Sequence, residues 1–261
     1  WSKLLFLATL LVVISSCTVA PITGRKQLSL VTEESVAAEA AIFYKEFINE
    51  AASKGALATN TAEGQRLRRI GNNMKTSVEQ YLRENGMTKK LSTLDWEFNL
   101  IRSDTMNAFS TAGGKVAFYT GILPVLKNDA GIAYVMGHEI GHVIAGHIME
   151  GTSQRILAGI TQAITGVVAG NQIQSLVSDG LKITLLKFNR TQEYEADKYG
   201  MIFMAMAGYN PAEAIAAEER MTLELGGSSQ PEILLTHPSG PHRIAALKKF
   251  LPEAMKYYSA R

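Results

Sequence analysis

Apolar positions recur along this chain with two periods, and the periods divide it into helical and strand-like stretches. Thr32 can cap a helix with Glu33 and Glu34 in its first turn. Val36, Ala40, Phe43 and Phe47 then line one face to about Ala52. Leu67, Ile70, Met74, Val78 and Tyr81 give a second helix over Glu63 to Glu84, stopping near Gly86. The pattern then changes. Trp96 to Arg102 alternates like a half-buried strand, and Lys115 to Thr120 reads as another. Gly113-Gly114 lies between them and predicts a hairpin. Its outer edge could pair with an extended peptide, although an ordinary structural sheet fits this stretch equally well.

From Asp129 onward the period is helical but the apolar face is not confined to one side. Ile132, Ala133, Val135, Met136, Ile140, Val143 and Ile144 surround the axis, the pattern of a buried helix with Asn128 as its cap. Inside that helix stand His138, Glu139 and His142. Residues four apart lie about 40° apart around a helix, so the two imidazoles project together. Burying such groups is costly unless something satisfies them. A zinc ion would do so, with Glu139 displaced to the side to hold a metal-bound water. His147 falls roughly opposite His138 and reads as structural or surface.

Arg155 to Leu186 is apolar but broken by Gly159, Gly166, Gly170 and Gly180. It reads as two amphipathic helices that could cover a cleft, and its longest apolar part is too short for a bilayer. In Phe188 to Gly200, Glu193 and Asp197 are four apart and share a face, whereas Glu195 points the other way. A His₂Glu site needs one carboxylate on the metal and another to orient a ligand histidine. Asn210-Pro211 caps a further helix to about Leu225. Gly226-Gly227 opens a loop, and His237 before Pro238 is held in an extended turn from which it could reach into a cleft. Pro241 starts a last helix that ends before Pro252. His242 takes no assigned role.

Composition changes the picture only modestly. The chain has 261 residues, 46% of them hydrophobic, and a net charge of +2. That suits one domain with a good core and gives no footprint for nucleic acid. Cys17 is the single cysteine, so zinc ligands must come from histidine and carboxylate. Lys3 precedes an apolar run from Leu4 to Ile14, the length of a signal-peptide core. The run ends Ile14-Ser15-Ser16-Cys17, which resembles a bacterial lipobox. With Thr18 rather than Asp next, the resemblance implies an anchor in the outer membrane, facing the periplasm. Residues 18–31, with Pro21 and Gly24, read as a tether.

Three groups together carry a wider resemblance: His138-Glu139-Ile140-Gly141-His142, Glu193-Tyr194-Glu195-Ala196-Asp197, and His237-Pro238 with Arg243. The chain resembles the HtpX/BepA/LoiP-type zinc metallopeptidases, gluzincins of family forty-eight, in their lipoprotein branch. The metzincin pattern is excluded, because Ala145 and Ile148 stand where its glycine and third histidine should be. A prenyl-protein protease is disfavoured by the absence of a mature spanning helix.

The resemblance implies an α+β, mostly helical gluzincin fold with a small β-sheet edge beside the metal helix. It implies one Zn²⁺ held by His138, His142 and Glu193, with Glu139 as general base. Asp197 would orient a ligand histidine. Arg243 would fix the His237 loop through a carboxylate. His237 would either stabilise the oxyanion or, at rest, displace the water. Asn107, Ala108 and Phe109 match the family's substrate edge. The implied organisation is a signal peptide with lipobox over 1–17, a tether over 18–31 and a peptidase domain over 32–261. The implied activity is a zinc endopeptidase, anchored through lipid on Cys17, that acts on misfolded or misassembled envelope proteins. A chaperone-like assembly lipoprotein with a mostly closed zinc site is the alternative.

Overall fold

The computed structural model describes residues 17–164, 187–224, 233, 236–237 and 240–259. The signal-peptide run and most of the expected cleft-covering stretch lie outside these residues. The described chain is α+β and mostly helical. A β-hairpin, β1 (Cys17–Val19) with β2 (Lys26–Leu28), is followed by helices α1 (Glu33–Ser53) and α2 (Ala62–Glu84). Strands β3 (Glu97–Ile101), β4 (Ala108–Thr111) and β5 (Lys115–Tyr119) come next. Helices α3 (Asp129–Ile144), α4 (His147–Ile164), α5 (Arg190–Met206), α6 (Glu213–Leu223) and α7 (Pro241–Ala254) complete it. No described helix is long and apolar enough to cross a membrane.

The helix boundaries follow local chemistry. Thr32, Thr61, Asn128 and Asn189 each accept a backbone N–H from the first turn of the helix they cap. At Asn189 a full capping box forms with Gln192.

The sheet corrects one expectation. The strand order is β3-β5-β4, with β3 parallel to β5 and β4 antiparallel to it. The glycine pair therefore does not join the two strands predicted to form the hairpin. It closes β4 onto β5, with Thr111 opposite Lys115 and both Gly113 and Gly114 at positive φ. A loop this short can join only the strands that flank it, and β4, four residues long, was hidden in an unpatterned stretch.

The sheet is the middle of three layers. Phe98, Leu100, Val116 and Phe118 face α2 and α3 in the main core. Ile101 and Ala117 face α1, where the Tyr44 hydroxyl donates to the Val116 carbonyl at 2.9 Å. Helix α3 is buried from Gly131 to Ile144.

Residues 18–31 are not a free tether. The hairpin lies against the domain: Arg25 pairs with Glu150 and Glu195, and the Ile22 amide donates to the Tyr199 hydroxyl at 3.0 Å. Ion pairing to two buried carboxylates outweighs the flexibility that Pro21 and Gly24 suggest.

Candidate metal centre and active site

Glycine sets how closely the two site-bearing helices cross. A Cβ on Gly200 of α5 would lie 2.8 Å from the His138 amide nitrogen. One on Gly141 of α3 would lie 2.7 Å from the Ala196 carbonyl oxygen. Only hydrogen fits there, so α5 rests directly on the His138–His142 turn. Glu193, one turn into α5, then faces both imidazoles.

His138, His142, Glu193 and His237 each offer a donor atom, and these atoms lie within 4.8 Å of one another. All four residues are buried. His138 Nε2 and His142 Nε2 are 3.1 Å apart. Glu193 Oε1 is 3.4 Å from His142 Nε2, and Oε2 is 3.5 Å from His138 Nε2. His237 Nδ1 is 3.2 Å from both His138 Nε2 and Glu193 Oε1. Donors about 2.0–2.1 Å from a tetrahedral zinc stand about 3.3 Å from each other. The donor set, its neutral-nitrogen and carboxylate chemistry, and its spacing therefore fit zinc.

A buried oxygen adds to the fit. Glu139 Oε1 accepts no hydrogen bond among the described residues. Such an atom costs stability unless a further group completes it. Ser110 Oγ lies 2.9 Å from the Glu139 carbonyl oxygen and 3.1 Å from Glu139 Oε2. The other carboxylate oxygen is left facing the donor cluster, 3.5 Å from His237 Nε2.

The electrostatics are consistent with this arrangement. Burial pushes the His142 imidazole well below its ordinary range, the neutral state a metal ligand needs. Burial would raise Glu193, but the charges of His237 and Arg243 hold it well below the usual carboxylate range. Burial opposes the charged form of Asp197 too, and Arg243 overcomes it. Burial likewise lowers His237, yet the Glu139 and Glu193 charges bring it out raised.

Asp197 Oδ1 is 2.8 Å from His138 Nδ1, the ring nitrogen facing away from the cluster. Arg243 clamps Asp197 with two hydrogen bonds, of 2.9 and 2.6 Å, and its Nη1 is 3.0 Å from Glu193 Oε2. Arg243, expected on one carboxylate, meets three: Asp197, Glu193 and Glu218. Tyr134 and Glu218 are not among the expected site residues. The Tyr134 hydroxyl lies 3.0 Å from Asp197 and 3.2 Å from Glu218, whose carboxylate is 3.6 Å from Arg243. A fully buried glutamate on α6 had no signal beyond its place in an otherwise ordinary helix.

The expected substrate edge is brought to the site in part. β4 lies beside α3 through Ser110, and among the described residues no strand pairs with its outer edge. Phe109, however, turns toward α1, its ring 5.2 Å from Phe47. Asn107 Oδ1 accepts from the Ala108 amide, so that oxygen is used within its own turn. His242 is exposed, away from the donors.

His147 departs from its expected place. α3 ends at Ile144, and Gly146 at φ +76° turns the chain, so α4 begins afresh at His147. The ring folds back, 2.8 Å from His142 Nδ1, and is completely buried. Phe188 stacks on the His142 ring with centroids 3.8 Å apart. Glu195 faces away from the donors, as expected. Burial alone would raise its pKa, but bonds from His147, Arg25 and Thr23 bring it down to about 2.

The comparisons with known proteins agree with this geometry. The mitochondrial metalloendopeptidase OMA1 of Arabidopsis thaliana is 34% identical over 174 residues, which is 66% of this chain and 35% of the relative. The beta-barrel assembly-enhancing protease of Escherichia coli K12 is 29% identical over 161 residues, 58% of this chain and 33% of the relative. The mitochondrial OMA1 of Homo sapiens is 24% identical over 251 residues, 91% of this chain and 46% of the relative. The chain thus spans about a third to a half of the length of these relatives. The model of peptidase family M48 matches residues 71–251, which hold α3, β4 and α5 and every donor of the cluster. The chain belongs to peptidase family M48.

Proposed function

We propose that this protein is a zinc metalloendopeptidase whose metal is held by His138, His142 and Glu193. The observation that carries it is the buried donor cluster with the unpartnered Glu139 Oε1 beside it. Bound there, zinc supplies Lewis acidity, which polarises the scissile carbonyl and acidifies water. Glu139 Oε1 takes a proton from the attacking water and returns it to the leaving amine. Ser110 holds the other carboxylate oxygen and so keeps the base aimed. Asp197, clamped by Arg243, keeps the proton of His138 on Nδ1 and leaves Nε2 free as a donor. The free edge of β4 receives the substrate backbone as an added strand, which suits unfolded chains of varied sequence.

In the present arrangement His237 takes the place of the fourth donor, 3.2 Å from two others. We read this as a resting form, in which His237 must withdraw before water can enter. It is also the observation that favours the second reading, a chaperone-like factor whose site stays mostly closed.

For the setting, Cys17 is exposed at the start of β1, a position compatible with a lipid. One relative is named for β-barrel assembly in a bacterium, others for mitochondria. We assign this chain to the bacterial envelope, lipid-anchored at Cys17 in the outer membrane and facing the periplasm. There it cleaves misfolded or misassembled envelope proteins. Digestion of an unfolded protein in ¹⁸O-water tests the chemistry: one ¹⁸O atom should enter each new carboxyl terminus. Unlabelled fragments, or none, would contradict hydrolysis. Palmitate labelling lost in Cys17→Ala tests the anchor.

A further inference from the structure

The two histidines of the metal helix are not supported alike. His138 is backed directly by a carboxylate, Asp197, itself gripped by Arg243. Behind His142 stands no carboxylate but another histidine, His147, with Nδ1 facing Nδ1 at 2.8 Å. His142 offers Nε2 to the donor cluster, so its proton lies on Nδ1 and is donated to His147 Nδ1. An imidazole that accepts at Nδ1 carries its own proton on Nε2. His147 Nε2 is 2.9 Å from Glu195 Oε2, which accepts it.

Glu195 is held in turn from the N-terminal segment. Arg25 places Nε 3.1 and 3.2 Å from the two Glu195 oxygens, and Nη2 3.0 Å from Oε2. The Thr23 hydroxyl also donates to Glu195. Arg25 is fixed from the other side by Glu150, through two bonds of 2.7 Å, and Gln192 holds Glu150 at 2.8 Å. Donation runs from His142 through His147 to Glu195, and Arg25 and Thr23 donate to the same carboxylate from the other side, so the row converges on Glu195. His147 and Glu195 are buried.

We propose that Arg25, Glu195 and His147 form a positioning relay that fixes the tautomer and orientation of His142, making the N-terminal hairpin part of the metal site. The inference rests on the zinc-site reading above. The relay parallels Arg243–Asp197–His138, with one imidazole, His147, added between the carboxylate and the ligand histidine. The two ligand histidines are thus secured from opposite ends of the chain. Deleting residues 17–28 would strip the support from one of them.

The test is zinc affinity of the full chain in detergent, measured by competition with a chromophoric chelator, beside circular dichroism of the metal-free protein. Partners behind a ligand histidine are commonly worth about 10–100-fold in metal affinity. His147→Leu, which keeps the bulk but has no acceptor, should weaken zinc by about that factor. His147→Asn, which keeps an oxygen acceptor near the Nδ1 position, should recover most of it. A role in packing alone reverses this order, because a buried site tolerates leucine better than asparagine.

Arg25→Ala and the milder Thr23→Ala should weaken zinc in graded fashion. Combining Arg25→Ala with His147→Leu should add little to His147→Leu alone, since both act through one chain. If His147→Leu fails to fold, the graded pair decides: an unchanged zinc Kd in Arg25→Ala overturns the relay. Wild-type protein that binds zinc normally while every variant matches it removes this inference and leaves the metal site standing. Wild-type protein that binds no zinc overturns both.

Discussion

Gly200→Ala probes the crossing on which the site depends. The added Cβ would stand 2.8 Å from the His138 amide nitrogen, 3.0 Å from the Gly137 carbonyl carbon and 3.2 Å from the His138 Cα. All three are backbone atoms that no rotamer can move. Ordinary contact begins at 3.4 Å, so α5 and α3 must part by about 0.6 Å at this point. Overpacking of this kind costs roughly 1–3 kcal/mol. Alanine is also a better helix former than glycine, which returns about 0.8–1.0 kcal/mol. The net loss is up to roughly 2 kcal/mol, or up to about 8 °C in Tm for a chain of this size. The same displacement carries Glu193 off His138 and His142, so zinc affinity should fall by more than stability does. Differential scanning calorimetry of the metal-free protein reads the first effect and chelator competition the second. A Tm equal to or above wild type, with unchanged affinity, would show that helix propensity dominates and that the close crossing does not set the site.

His237→Ala should raise the rate of casein cleavage, because it vacates the position of the fourth donor; a rate equal to or below wild type would return His237 to the role of transition-state donor. Arg243→Ala leaves Asp197, Glu193 and Glu218 without their shared cation. Breaking a buried pair this way costs roughly 3–5 kcal/mol, seen as a Tm lowered by about 6–20 °C, and an unchanged Tm would refute the clamp. Glu195 is depressed from 4.5 to about 2 on folding. Its contribution is therefore complete above pH 4.5 and lost as pH falls toward 2. Across that window the Tm of metal-free wild type should fall more steeply than that of Glu195→Gln, and parallel curves would refute it.

The donors were legible because each sits in a short pattern with a geometric consequence. The 3.6-residue period puts His138 and His142 together and separates Glu193 and Asp197 from Glu195, and the structure keeps all three relations. Strands β3 and β5 were legible but β4 and the strand order were not, since β3 and β5 alternate alike whether their pairing is parallel or antiparallel. What escaped depends on breaks in period or on distant packing. Extrapolating α3 past Ile144 puts His147 on the wrong side, because a single residue at φ +76°, Gly146, ends the helix. Arg25 looked like part of a tether because its partners, Glu150 and Glu195, lie more than a hundred residues away. Glu218 and Tyr134 gain their meaning only when α6, α3 and α7 meet around Arg243.

The most direct test of the central claim is cleavage of unfolded casein by the full chain, with and without a chelator, beside Glu139→Gln. Wild type should yield fragments, and the chelator should abolish them. Glu139→Gln should bind zinc as wild type does and yield none. A Glu139→Gln protein that cuts at the wild-type rate, or wild-type cutting indifferent to the chelator, would contradict that claim.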